Sequence, residues 1–185
     1  AVGFGLQYGV ARVLNIAHGE FIMLGAFCTW TLFTGAGVTP LVSMLFCAPF
    51  FFAIGFVIHR IYYTPLRTSS ESPAVFEGNS MLASFGLLFV VQNLALIIWG
   101  SPVKGYSYLA FPVQLSGAVF SANRIVTLIA SVILGSAFYV FLMSTRMGTA
   151  IRAAAQDPDA AELMGVRINR VLALCFGFGV MMAGL

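Results

Sequence analysis

From Phe21 to Ile58 the chain carries no Asp, Glu, Lys or Arg, and the run is broken by Thr34-Gly-Ala-Gly-Val-Thr-Pro40, whose glycines and proline predict a turn. Two membrane segments joined by a short loop follow from that pattern. Gly78 to Val103 is again uncharged, with its apolar centre at Met81 to Trp99, and Ile125 to Thr145 is a further uncharged stretch. Each is long enough to cross a bilayer, which takes about 20 residues of helix. With apolar runs at both ends of the chain, the expected order is a partial first helix, helices near 12–33, 41–58, 81–99 and 124–144, and a partial sixth from about 170. The fold class is therefore all-α, a polytopic membrane helix bundle of about five to six helices.

Composition agrees. Of 185 residues, 60% are hydrophobic and 8% charged, where soluble domains have about half and a quarter. Disorder is excluded on the same ground, because disordered chains combine low hydrophobicity with high charge. The chain opens inside an apolar run without an initiator Met and closes on Val171 to Leu185, shorter than a full span. Residues 1–185 are expected to be one transmembrane domain truncated at both ends.

Nine basic against six acidic residues leave a net charge of +3 with no polybasic face, so no nucleic-acid partner is expected. The charges instead set orientation. Alternation of spans puts Arg12, Arg60, Arg67, Arg146, Arg152, Arg167 and Arg170 on one side and only Lys104 and Arg124 on the other. By the positive-inside rule, 59–80 and 145–170 are cytoplasmic and 100–123 is external. Trp30 and Trp99 fall toward the external ends of their helices, where indoles favour the headgroup boundary. Cys28, Cys47 and Cys175 lack ligand or disulfide spacing and read as small buried hydrophobes. Gly5 and Gly9 form a GxxxG, which is either a close helix contact or a chance occurrence in a glycine-rich chain.

Three places depart from the membrane pattern. Asn15-Ile-Ala-His18-Gly19-Glu20 precedes an apolar stretch, Phe21 to Phe33, that covers only about 20 Å of a core about 30 Å thick. Either His18 and Glu20 lie at the interface, solvated or paired with Arg12, or Asn15, His18 and Glu20 are drawn to membrane depth, where ionisable groups face a bundle interior or a water-filled path. A helix broken or re-entrant near 15–20, with an interruption at Gly19, meets the second case. His-x-Glu supplies too few ligands for zinc, so no metal site is expected. The second place is Gln92-Asn93, within the 81–99 helix, read either as interhelical hydrogen-bond glue or as one amide facing a polar path.

The third is Ser144 to Arg170. Arg146, Thr149, Arg152 and Gln156 make one polar stripe at helical spacing, with Ile151 and Ala155 away from it. Asp157-Pro158 reads as an N-cap with proline at the first helical position. A short helix to Met164 follows, Gly165 is placed to end it in a left-handed conformation, and Asn169 is a candidate cap for the next helix. That is more structure than a connector of two to eight residues needs, so a docking element for a cytoplasmic partner is favoured over an amphipathic loop on the membrane.

Arg12-Val-Leu-Asn-Ile-Ala-His-Gly-Glu-Phe-Ile-Met-Leu-Gly-Ala-Phe27, Thr145 to Gly165, Phe85-Gly-Leu, Gln92-Asn-Leu-Ala-Leu and Pro65-Leu-Arg67 together resemble the permease subunit, of the H type, of the ABC importers for branched-chain amino acids. The wider family includes urea, ribose and xylose permeases. The resemblance implies import of branched-chain or related amino acids into the cytoplasm, through the inner membrane of a prokaryote. Urea or another small polar solute is the alternative cargo, and a passive solute channel the alternative class.

It also implies that 145–170 holds a coupling helix seated in an ATPase subunit. Arg152, Asp157, Pro158, Ala160, Ala161, Glu162 and Gly165 form that segment, with the small residues allowing close approach and Arg152 and Glu162 making polar contacts. Asn15, His18, Gly19, Glu20, Gln92 and Asn93 are candidates for the substrate path or its gate. The implied partners are a second permease subunit, cytoplasmic ATPase subunits and an external substrate-binding protein. No GxxxxGK[ST] loop occurs, so ATP is expected on the partner, with no cofactor and no catalytic residue in this chain.

Overall fold

A computed structural model describes residues 2–102, 104–105, 108–109, 111–115 and 118–185. Helices α1 (Val2–Ala11), α2 (His18–Ala36) and α3 (Pro40–Ile58) come first, and a π-helical turn at His59–Tyr63 carries α3 into α4 (Thr64–Thr68). Then follow α5 (Pro73–Trp99), a hairpin of β1 (Pro112–Leu115) and β2 (Ala118–Ser121), and α6 (Ala122–Ser144). The chain ends with α7 (Arg146–Gln156), α8 (Pro158–Leu163) and α9 (Ile168–Gly184). The molecule is an all-α membrane bundle. Among the described residues a small antiparallel ladder, pairing Pro112 with Ser121 and Leu115 with Ala118, lies inside the segment expected as a loop.

Three helical stretches, Pro40–Thr68, Pro73–Trp99 and Ala122–Ser144, are long and apolar enough to cross a membrane. The turn between α2 and α3 falls where the glycines predict it, with Gly37 left-handed at φ 65°. Helix α5 starts eight residues before the expected 81. Pro73 occupies its first position and the Ser72 hydroxyl accepts from Val75 N at 3.3 Å, so a local start signal outweighs the edge of the apolar run.

The core is built around α9, which packs against α1, α2 and α3 and buries Val171, Leu172, Cys175, Phe176 and Val180. This is the run too short for a full span in the sequence, and it is the most enclosed helix of the bundle. Glycines let its backbone approach its neighbours. A Cβ on Gly55 would sit 2.8 Å from Val180 Cβ, one on Gly179 would sit 2.5 Å from Gln7 Cγ, and one on Gly25 would overlap the Gly184 carbonyl. The GxxxG pair does none of this, since neither Gly5 nor Gly9 has an atom within 4 Å of its missing Cβ. In α1 it is Gly3, facing Gly179, that makes the close contact.

Cys47 and Cys175 are buried among apolar side chains and Cys28 is half-buried. The outward faces of α5 and α6, by contrast, are large and apolar, with Leu82, Phe89 and Ile97 on one and Leu128 and Ile133 on the other. That is the surface lipid requires.

Candidate functional site

The chain between α1 and α2 is non-helical from Arg12 to Ala17. The break therefore lies ahead of Gly19, which is inside α2, rather than at it. Arg12 turns the chain with φ 53°, and its guanidinium is 3.7 Å from the Glu77 carboxylate near the start of α5. Val13 and Ala17 are fully buried and pin the segment down. Its freed backbone groups are taken up by Ser84 of α5, whose Oγ accepts from Ile16 N at 3.1 Å and lies 3.0 Å from Leu14 O as donor. Irregular backbone at membrane depth requires such satisfaction by protein.

Asn15 is buried and continues the polar thread. Its Nδ2 donates to Gln7 Oε1 at 3.2 Å, and Gln7 Nε2 donates to Phe176 O on α9 at 3.4 Å. His18 packs edge-on against Phe4 with ring centroids 5.7 Å apart. Asn15 Oδ1 and His18 Nδ1 are buried without a hydrogen-bond partner among the described residues.

Two contacts between α2 and α5 set the depth of this break. At one end Trp99 Nε1 donates to Thr31 Oγ1 at 2.8 Å, and the indole stacks on Phe27 with centroids 5.1 Å apart. At the other is the Ser84–Ile16 bond. Trp99 and Ser84 are about fifteen residues apart on one helix, so the break is about 22 Å from the indole level. With that indole at the edge of a hydrocarbon core about 30 Å thick, Ile16 and His18 lie inside the core. Glu20, eleven residues before Thr31 on α2, is about 16 Å from the indole level, near the midplane. Arg12 is paired to Glu77 and so is not the partner of His18 or Glu20. Glu20 is half-buried and makes no ion pair among the described residues.

Gln92 and Asn93 have separate surroundings. Asn93 Nδ2 donates to its own helix at Phe89 O, 2.7 Å, and the glue between helices expected of it is absent among the described residues. Gln92 faces a cavity of about 590 Å³ between α2 and α5, beside Phe27, Trp30, Leu96 and Lys104. The Lys104 ammonium lies 4.9 Å from the centre of the Trp30 ring.

At the arginine-rich end, α7 and α8 form the helix–turn–short helix expected. Thr145 Oγ1 caps α7 by accepting from Gly148 N at 3.0 Å. Asp157 Oδ1 caps α8 by accepting from Asp159 N and Ala160 N, both at 3.0 Å, with Pro158 at the first position. Gly165 has φ 86° and ends α8 as the sequence indicates. Ile151 and Ala154 form the buried face of α7, while Ala155, expected there, is exposed. Arg152 Nη1 reaches Met143 Sδ at 2.8 Å. Ala161 turns inward and is 5% exposed, whereas Asp157, Ala160, Glu162 and Gly165 face out and Pro158 is half-buried. Asn169 lies within α9, and Arg167 stands at the cap position without a side-chain bond.

Leu163 and Met164 were not singled out by sequence reasoning. They are 90% and 86% exposed, the most exposed large hydrophobics described. They stand at the end of α8, just before the left-handed turn at Gly165.

An apolar bundle with three helical stretches long enough to cross a membrane and a capped helical pair at its charged end defines a polytopic membrane protein. The family model of the branched-chain amino acid transport system permease component matches residues 1–185, and the chain belongs to that family. It is 25% identical over 197 residues to the high-affinity branched-chain amino acid transport system permease protein BraD of Pseudomonas aeruginosa, covering 99% of this chain and 62% of the relative. Coverage is the same for the permease protein LivH of Escherichia coli K12, at 26% identity over 198 residues. The probable branched-chain amino acid transport permease LivH of Methanocaldococcus jannaschii is 25% identical over 177 residues, covering 92% of this chain and 54% of the relative. The chain thus spans under two thirds of the length of these relatives. No solved structure matches it.

Proposed function

We propose that this chain is part of the transmembrane permease subunit of an ABC importer in a prokaryotic inner membrane, carrying branched-chain or related amino acids into the cytoplasm. The observation that carries the proposal is α8. It is a one-turn helix, capped at both ends by Asp157 and Gly165, that holds two large apolar side chains away from its own bundle. Two adjacent large apolar side chains held off the bundle make the kind of exposed patch that marks an interaction site, and a groove in a cytoplasmic ATPase subunit is the proposed cover. ATP would be bound and hydrolysed there, so no catalytic role is proposed for this chain. A second permease subunit, homologous or identical, and an external substrate-binding protein complete the proposed assembly. A passive channel has no use for α7 and α8.

The test uses the full-length subunit with its ATPase in proteoliposomes, measuring ATP hydrolysis on addition of leucine and binding protein. Stimulation that is lost in Leu163→Glu, with the fold intact, supports the proposal. Failure of the ATPase to associate overturns it, and stimulation by urea but not leucine reassigns the cargo. Gly165→Trp is a harsher companion variant, because φ 86° strains any residue with a Cβ.

A further inference from the structure

Glu20 poses a physical problem that the fold leaves open. With the Trp99 indole at the headgroup boundary, its carboxylate falls near the middle of the bilayer, about 16 Å along α2 from the Trp99–Thr31 contact. It is half-exposed on a bundle whose outward faces are mostly large apolar side chains. No Lys, Arg or His lies within ion-pair distance of it among the described residues. A carboxylate against lipid at that depth is expensive, so groups of this kind face protein or a water-filled cavity.

The surroundings favour water. Gly19, beside Glu20 on α2, is exposed and has no atom within 4 Å of where a Cβ would stand. Two further polar atoms within five residues, Asn15 Oδ1 and His18 Nδ1, are buried and lack partners. The backbone immediately before them is irregular, a feature found at this depth only where it is enclosed by protein or lines a cavity. Three polar groups without a partner among the described residues thus lie within five residues of the chain at the break, with His18 and Glu20 on different faces of α2.

We propose that Glu20 is an anionic station on a water-filled path through the middle of the bilayer, meeting the ammonium end of a small solute. That the solute is an amino acid rests on the function proposed above; the station itself does not. Asn15 and His18 stand within five residues of it in the chain, and no cation among the described residues pairs with the carboxylate.

The full-length subunit, assembled with its partners in proteoliposomes, tests this with Gly19→Cys as a reporter that leaves Glu20 in place. Trimethylammonium-ethyl and sulfonatoethyl methanethiosulfonates are compared, with the unsubstituted protein correcting for its own cysteines. With each rate divided by that of the same reagent on a free thiol in solution, the cationic reagent should label roughly tenfold faster than the anionic one. The ratio should fall to near one when Glu20→Gln is added and persist with Glu20→Asp. Ile22→Cys, one turn along the exposed side of α2, is the second reporter should Gly19→Cys fail to assemble.

Labelling by a lipophilic maleimide alone would mean that lipid covers this face, and the station would be lost. Equal labelling by both charged reagents, unchanged by Glu20→Gln, would equally sink it. Leucine uptake is measured in the same vesicles. Uptake without charge preference refutes the station and spares the importer; charge preference without uptake supports the station and removes the amino acid as cargo.

Discussion

Ser84 holds Ile16 by its backbone N–H at 3.1 Å and reaches the Leu14 carbonyl at 3.0 Å, so a single hydroxyl on α5 closes both sides of the break between α1 and α2. Its one proton is shared with Met81 O on its own helix, at 2.8 Å. Ser84→Ala leaves both backbone groups of the break without this partner. The expected cost is about 1–3 kcal/mol, read as a lower thermal midpoint of the full-length subunit in detergent, with secondary structure retained below it.

The glycines of the core and those of the GxxxG pair should behave oppositely. Gly179→Ala puts a methyl 2.5 Å from Gln7 Cγ, and the buried Gln7 side chain has to leave its hydrogen bonds to Asn15 and Phe176. A loss of about 1–3 kcal/mol follows from overpacking. Gly5→Ala meets no atom within 4 Å and should leave the stability of the isolated subunit unchanged or slightly higher. Thermal melts of the two variants side by side decide the matter.

Asp157 caps a helix too short to stand by itself. Asp157→Ala removes two acceptor contacts of 3.0 Å from Asp159 N and Ala160 N, at a cost of about 1 kcal/mol. Amide hydrogen exchange at residues 158–164 should quicken while α3 and α9 are unaffected, and Asp157→Ser should restore protection.

Leu163→Glu together with Met164→Glu separates docking from folding. Both side chains are almost wholly exposed, so the double variant should melt like the parent. Under the proposed function it should fail to co-purify with the ATPase. Undiminished co-purification would mean that the ATPase seats elsewhere.

Thr31→Val deletes the acceptor that Trp99 Nε1 uses at 2.8 Å. The loss should be modest, about 0.5–1.5 kcal/mol. A shift in tryptophan emission marks the changed indole environment, while the Phe27 stack remains to hold the ring in place.

Much of this molecule was legible in its sequence, because the signals concerned act over a few residues. A charge costs the same in hydrocarbon whatever the rest of the chain does, so the uncharged runs marked the spans around α3, α5 and α6. The Asp157-Pro158 start and Gly165 stop are set by neighbouring backbone groups, and α8 falls between them. The true start of α5 was also written locally, in Ser72-Pro73, but apolarity drew the boundary inward.

What only the tertiary structure decided depends on residues far apart in the chain. That α9 is the central helix follows from Gly3, Gly25 and Gly55 meeting Gly179, Gly184 and Val180, and no local pattern separates those glycines from Gly5 and Gly9. Asn15, His18 and Glu20 were visible as exceptions to the membrane rule, yet whether they lay at the surface or within it rested on two contacts between α2 and α5. Trp99 on Thr31 and Ser84 on Ile16 fix how far the break lies from the indole level, because segments joined at both ends admit only one register. The outward throw of Leu163 and Met164 is likewise a property of how α8 sits on α7 and α9, since a side chain's exposure is determined by what stands opposite it.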